Sequence, residues 1–439
     1  MTAYTDTIAY LQGLEVTKGW DLELERIRAA LERRGHPEAR VPALHVAGTN
    51  GKGSTAAMLE AVLRAAGYRT GLYTSPHLID FAERIRAGGL AMPHDAIVEL
   101  VAELRGDLDR AGIALTHFEF ATLLALEWFA RIEVEVGVIE VGLGGRLDAT
   151  NVVHPIVTAV TSIARDHEEF LGSDIPSIAR EKAGIAKGGV PLVVGRMVPE
   201  AEDVIVAHAR AVGAPVVSAV RDAALEAGAG GLAFRGPVGP AWDGLRIGLP
   251  GAVQVENARV ALTVLSCAAE RFPCTADAVR GGLGGARWPG RLATIRERPR
   301  VVVDGAHNPA GVETLLRELP ALVADRRVTL VFAVMADKAW QAMLDPLVRA
   351  SARVVLTRVG RRGLDPQVMA AHVGDRIPTD VVEDARAAVE RALAITADDG
   401  AVVVAGSLFL AGEVYLAFGQ RELIPPWQGW ERIGTQARP

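Results

Sequence analysis

His45-Val46-Ala47-Gly48-Thr49-Asn50-Gly51-Lys52-Gly53-Ser54-Thr55 is the stretch from which the rest of the chain can be read. Apolar residues lead up to Ala47, a glycine loop follows, and Ala56-Ala57-Met58-Leu59-Glu60-Ala61-Val62-Leu63 continues as a helix. Strand, glycine-rich turn and helix make a phosphate-binding loop. Glycines let backbone N–H groups close round phosphate oxygens, the helix N-terminus adds partial positive charge, and Lys52 adds a full one. Ser54 or Thr55 is placed to reach a phosphate-bound Mg²⁺. The general pattern has Ser or Thr directly after the lysine; here Gly53 intervenes and the hydroxyls come one position late. An ordinary glycine-rich βα turn is the plainer reading, and a lysine and two hydroxyls among the glycines weigh against it.

Outward from the loop, 439 residues are too many for one core. At roughly 150 residues per domain, two or three domains are expected. With 50% hydrophobic and 23% charged residues the composition is that of a folded protein. A net charge of −6 gives no footprint of a general nucleic-acid binder. Cys267 and Cys274 make neither a disulfide framework nor a zinc site. The first residues show no signal-peptide pattern, and no apolar run nears the ~20 residues that span a bilayer. The expected location is the cytoplasm, with no membrane partner. Of 47 basic residues only Lys18, Lys52, Lys182, Lys187 and Lys338 are lysine. Where arginine is the default surface cation, a lysine marks a place for a compact charge or a modifiable amine.

Further chemistry-bearing residues recur at the ends of apolar runs. Val136–Val141 reads as a buried parallel strand, and Glu140 within it is costly unless paired or bound to metal. Ile156–Ile163 is a second such strand, followed by Asp166-His167. His167 reads as a buried structural histidine or as a metal ligand. Ser75-Pro76 ends a strand near Tyr73. Residues 19–35 and 94–111 have helical spacing, as does a segment from Thr116 through Phe129. Lys182 lies on a helix ending near Gly184, Asn257 near the start of one and so in reach of capping it. The 190–250 region reads as short strands and loops. Arg287-Trp288-Pro289-Gly290-Arg291-Leu292 marks a boundary between domains 1–294 and 295–439. Beyond it strands alternate with helices, with Asp304-Gly305-Ala306-His307 and Asp337-Lys338 at strand ends, where open α/β sheets bind ligands. The expected fold is α/β: an N-terminal P-loop ATPase-type domain with a parallel sheet and a smaller Rossmann-like C-terminal domain.

GTNGKGS (48–54), SPHL (75–78) with ERI (83–85), FEF (118–120), EVGLGGRLDATN (140–151), DHxxxLG (166–172), EKAGI (181–185), PGR (289–291) and DGAHNP (304–309) occur in that order. Together they resemble the folylpolyglutamate synthase / dihydrofolate synthase family of the Mur ligase superfamily. The resemblance implies an ATP-dependent ligase that activates a pterin-borne carboxylate as an acyl phosphate and joins it to L-glutamate. It implies that Thr49, Asn50, Gly51, Lys52, Gly53 and Ser54 hold ATP with Asn257, Arg291 and Asp304. Ser75, Glu140 and His167 would hold Mg²⁺, and a carbamylated Lys182 would serve a second metal, with a monovalent cation as a further cofactor. His307 and Lys338 would face glutamate or the acyl phosphate. Asp21, Leu22, Glu23, Leu24, Thr116, His117, Phe118, Glu119, Leu147, Asp148 and Ala149 would border the pterin. Partners would be small molecules only, and the chain a monomer. Chain extension of tetrahydrofolate alone, a Mur-type cell-wall ligase, and a nucleotide-binding regulator without ligase activity stay open as alternatives.

Overall fold

Two sheets, each with its carboxyl-terminal edge turned toward the same cleft, organise the chain. The computed structural model describes residues 2–18, 23–228, 230–360 and 362–432. The first sheet holds β1 (Ala43–Ala47), β2 (Thr70–Tyr73), β3 (Ile85–Ala87), β4 (Leu90–Ala91), β5 (Val136–Glu140), β6 (Pro155–Val160), β7 (Leu192–Val194) and β8 (Val216–Ser218). Their order is β4-β3-β2-β5-β1-β6-β7-β8. β1 lies between β5 and β6, parallel to both. Every residue of β1 and β5 is buried, which is why both read as near-continuous apolar runs. Only the β3 and β4 pairings are antiparallel.

Beside this sheet, β9 (Ala224–Gly228), β10 (Gly231–Arg235) and β11 (Trp242–Leu245) form a small antiparallel sheet. Phe234 stacks on Trp242 there, with ring centroids 5.5 Å apart. The third sheet holds β12 (Ala293–Glu297), β13 (Arg300–Val303), β14 (Val328–Phe332), β15 (Arg353–Leu356), β16 (Thr379–Val381) and β17 (Ala401–Ala405), in the order β12-β13-β17-β14-β15-β16. All its pairings are parallel except β12 with β13. This is the expected pair of α/β units.

Four details differ from the sequence reading. Among the described residues of the amphipathic segment at 19–35 the helix is Glu25–Arg33, and a helix over Ala3–Lys18 precedes it. The 190–250 region contains a full helix, Pro199–Val212, whose Ala201, Ile205 and Ala209 are buried at helical spacing. Small alanines carry that stripe, so the apolar periodicity is weak in the sequence. Asn257 caps nothing: its helix begins at Val253, one turn earlier.

The last difference concerns the chain's end. Residues 425–430 return to the first body. Ala91 N–H donates to Pro425 O (2.9 Å) and Trp427 N–H to Ala91 O (2.8 Å). Trp427 meets Trp128 edge-on, and Trp430 Nε1 donates to Ile132 O at 2.6 Å. Ile424, Trp427 and Trp430 thus complete the core around Trp128 and Phe129. Among the described residues no helix is long and apolar enough to cross a membrane.

Candidate active site

The glycine loop joins β1 to the helix Lys52–Ala65, and Gly51 precedes that helix at φ 86, a left-handed value glycine adopts without strain. A Cβ on Gly51 would also collide with Asn257 Oδ1. Asn257 is held by its own Nδ2 donating to Gln254 Oε1 (2.8 Å), so its carboxamide lies against the loop. Thr161 Oγ1 donates to Asn50 O (2.7 Å), and Thr49 N–H donates to Ser162 O (2.7 Å), tying the loop to the end of β6. Lys52 Nζ donates to Gly48 O (2.9 Å) and Thr49 O (3.1 Å). Of the two candidate hydroxyls, Ser54 borders the cleft, whereas Thr55 Oγ1 is buried without a partner.

The ends of β2, β5 and β6 bring the next groups to this cleft. Glu140, at the end of β5, is buried and accepts Ser75 N–H at 3.2 Å. Burial pushes its carboxyl up, against the pull of the Lys52 charge. His167, just past β6, has φ 52, a strained value for a non-glycine residue. Burial draws its imidazole down to about 4, so it is neutral and able to ligate at pH 7. Among the described residues no three His, Cys, Asp or Glu side chains gather into a metal cage. Ser75, Glu140 and His167 offer a hydroxyl, a carboxylate and an imidazole on one cleft wall. That donor set fits Mg²⁺ whose shell is completed by phosphate and water oxygens. Lys182 is 5% exposed, and burial together with the Lys52 charge brings its ammonium down to about 7. The GLGGR loop packs on its helix: a Cβ on Gly145 would press on the Glu181 and Lys182 carbonyls, and Arg146 pairs with Glu181 at 2.9 Å.

The second body supplies the opposite wall. Asp304, after β13, accepts Leu292 N–H (2.9 Å) and Ala306 N–H (2.8 Å). Both carboxylate oxygens therefore fasten the domain junction to the DGAHNP turn. Arg291 lies against Gly305. His307 Nδ1 donates to Gly305 O (2.8 Å), which leaves Nε2 facing Asp166 Oδ2 at 3.6 Å. Burial draws this imidazole down to about 4 as well.

Asn308 and Asp166, which the sequence reading gave no role, bridge the bodies together with the expected Lys338. Asn308 Nδ2 donates to Asp166 Oδ2 (2.9 Å) and to Asn50 Oδ1 (3.1 Å). Lys338 Nζ donates to Asp166 Oδ1 at 2.7 Å, with the two side chains 10% and 7% exposed. Burial works against the charge on Asp166, but His307, His167 and Lys338 outweigh it and hold the carboxyl well below its usual range. With both imidazoles neutral at pH 7, Lys338 is the partner that keeps it ionised. The one signal in the sequence is the position of Asp166 beside His167 at a strand end.

The cleft thus gathers Thr49 through Ser54, Ser75, Glu140, His167, Lys182, Asn257, Arg291, Asp304 and His307, with Lys338 behind Asp166. The expected pterin contacts lie apart from it. Thr116 and Glu119 form a capping box for the helix His117–Arg131, and Arg26 pairs with Glu119 at 3.1 Å. His117 Nδ1 is 2.9 Å from Leu11 O. Asp148 is buried and accepts Leu143 N–H (2.7 Å) and Thr150 N–H (3.0 Å), a turn-building role. Leu147 and Ala149 flank it, Ala149 buried and Leu147 partly so. Phe118 comes nearest the cleft: its ring fills the space a Cβ on Gly142 would need, 6.1 Å from the Tyr73 ring. Glu23 is exposed and Leu24 buried; Asp21 and Leu22 lie outside the described residues.

Residues 46–265 match the Mur ligase middle domain and residues 290–408 the Mur ligase glutamate ligase domain. The chain is 35% identical to the folylpolyglutamate synthase of Lacticaseibacillus casei, over 94% of this chain and 97% of that one. Escherichia coli FolC in complex with DHPP and ADP superposes with a TM-score of 0.87 at 35% identity, covering 94% of this chain and 98% of that one. The bifunctional folylpolyglutamate synthase/dihydrofolate synthase of Yersinia pestis, solved with AMPPNP and Mn ion, gives a TM-score of 0.84 at 34% identity, covering 95% and 98%. Loop, strand-end acids and cross-cleft lysine thus stand in a frame these proteins share along nearly their whole length, and the chain belongs to the folylpolyglutamate synthase/dihydrofolate synthase family of Mur ligases.

Proposed function

We propose that this chain joins L-glutamate to dihydropteroate and to tetrahydrofolate, using ATP. The observation that carries the reading is the convergence of two walls. A phosphate loop with Lys52 faces His307 and Lys338 of the second body, and the two sides meet at Asp166. In the proposed reaction a substrate carboxylate oxygen attacks the γ-phosphorus and ADP leaves. The glutamate amine then attacks the acyl carbon, losing a proton as phosphate departs. Phosphoryl transfer of this kind depends on positioning and charge neutralisation.

Lys52 and the loop N–H groups hold the β- and γ-phosphates. Mg²⁺ bound by Ser75, Glu140 and His167 supplies further neutralisation there. Asn257 and Arg291 orient the nucleotide, and Asp304 sets the junction from which Arg291 extends. Phe118 stands at the mouth of the pterin side. Lys182, about half of it free amine near pH 7, takes up CO₂ and releases a proton, becoming a carboxylate that would serve a second metal. His307, with Nε2 unprotonated, and Lys338 receive glutamate. The division of labour follows residues 1–294 and 295–439, with the 425–430 return counted with the first body. The enzyme works as a monomer in the cytoplasm, since one chain supplies both walls.

ADP release by the purified protein with Mg-ATP and L-glutamate tests this, with dihydropteroate and tetrahydrofolate in separate reactions. Release with both is expected. Release with tetrahydrofolate alone restricts the activity to chain extension. Release with neither overturns the reading.

A further inference from the structure

A second chamber opens off the nucleotide cleft and shares Gly53, Ser75, Glu140 and Arg291 with it. Arg86 of β3 forms its charged wall. Only 9% exposed, Arg86 donates Nε–H to Glu83 O at 2.8 Å and lays its guanidinium over Trp288, 4.6 Å from the ring centre. Among the described residues its two Nη groups have no hydrogen-bond or ion-pair partner. Glu83, Glu60 and Glu140 attract its charge, but none of their carboxylates bonds to it. Glu83 accepts the N–H groups of Leu78, Ile79 and Asp80, and Glu140 accepts that of Ser75. Leu408 and Ile424 make the opposite side apolar. A buried guanidinium whose Nη groups bond to no carboxylate keeps its planar fork for two oxygens of one group.

We propose that Arg86, with Arg291 across the chamber, forms an oxyanion subsite beside the position of the γ-phosphate. The chemistry it takes is a phosphate or a carboxylate presenting two oxygens. Two sources fit: the inorganic phosphate released after glutamate attack, leaving on the side of Ser75 away from the adenine, or an α-carboxylate of a γ-glutamyl chain. The source rests on the ligase reading; the subsite does not.

The protein is saturated with Mg²⁺ and ADP to fill the loop, then titrated with inorganic phosphate by calorimetry. Arg86→Gln should weaken phosphate binding at least tenfold, and Arg86→Lys, which keeps the charge and loses the fork, should weaken it by less. ADP affinity in the same samples reports folding. Ile424→Glu, which places a carboxylate in the chamber and outside the nucleotide cleft, should weaken phosphate binding to a similar extent and tests the subsite without touching Arg86. In a second arm the KM values of mono- and triglutamyl folates are compared. Unchanged phosphate binding in Arg86→Gln, with loss of preference for the longer chain, assigns the subsite to a carboxylate. Both readouts unchanged in a folded Arg86→Gln overturns the proposal. The phosphate arm needs no turnover, so it stands even where the ligase reading fails.

Discussion

The two walls of the cleft are built in opposite ways. On the first, each group is held from its own side: Lys52 by carbonyls of its own loop, Glu140 by Ser75, and Asn257 by Gln254. On the second, Lys338 and Asn308 take their positions from Asp166 and Asn50 of the opposite body. The first wall is held mostly from its own side, with Asn50 also bonded to Asn308 across the cleft. The second is held by contacts that span the two bodies.

The sharpest test of the first wall is Lys52→Ala. Turnover should fall by on the order of 10³-fold, as when a phosphate-binding charge is removed from phosphoryl transfer. ADP release under saturating substrates measures it. The second wall is tested by Asp166→Asn, which leaves the Lys338 ammonium buried without its partner. Breaking such a pair costs about 3 kcal/mol at the low end, which applies here because Asp337 stays 4.0 Å from Lys338 Nζ, so kcat should fall roughly 10²-fold. ADP affinity, read by calorimetry, should change less than about threefold. An equal loss in both would erase the contrast between the walls.

Lys182 sharpens the contrast through pH. Its ammonium is drawn down to about 7, so the amine is mostly protonated at pH 6 and mostly neutral at pH 8. After dialysis against CO₂-free buffer, reactivation at fixed dissolved CO₂ should be about tenfold slower at pH 6 than at pH 8. A flat profile would remove the carbamate. The smallest effect concerns the junction. Glu318, on the helix Pro309–Val323, accepts Ala252 N–H (2.9 Å) and Val253 N–H (3.2 Å), capping from the second body the helix that carries Asn257. Glu318→Gln should raise the KM for ATP by roughly threefold to tenfold with kcat nearly unchanged, as expected for a weakened helix-terminus contact.

The parts legible in the sequence are those fixed within a few residues. The loop, the strand ends and the parallel sheets follow from glycine placement and from continuous apolar runs such as β1 and β5. Even the odd acid, Glu140, announced itself by interrupting such a run. What escaped is long-range. Lys338 finds Asp166 across 172 residues, and Asn308 finds Asn50 across 258. No local pattern encodes such pairs. Asp148 shows the converse: a residue in a recognisable motif whose carboxylate is taken up by its own turn. The Pro199–Val212 helix was hidden because alanine carries its buried stripe.

The returning segment at 425–430 also sets the order in which the molecule can be finished. Trp427 and Trp430 complete a core centred on Trp128, three hundred residues upstream. That core therefore joins residues on both sides of the whole second body, and it cannot close until the second body has been made. The second body is therefore, in topology, an insertion within the first, joined to it by two strands of chain. Two connections tie it to the first body, where a domain at a chain's end would have one.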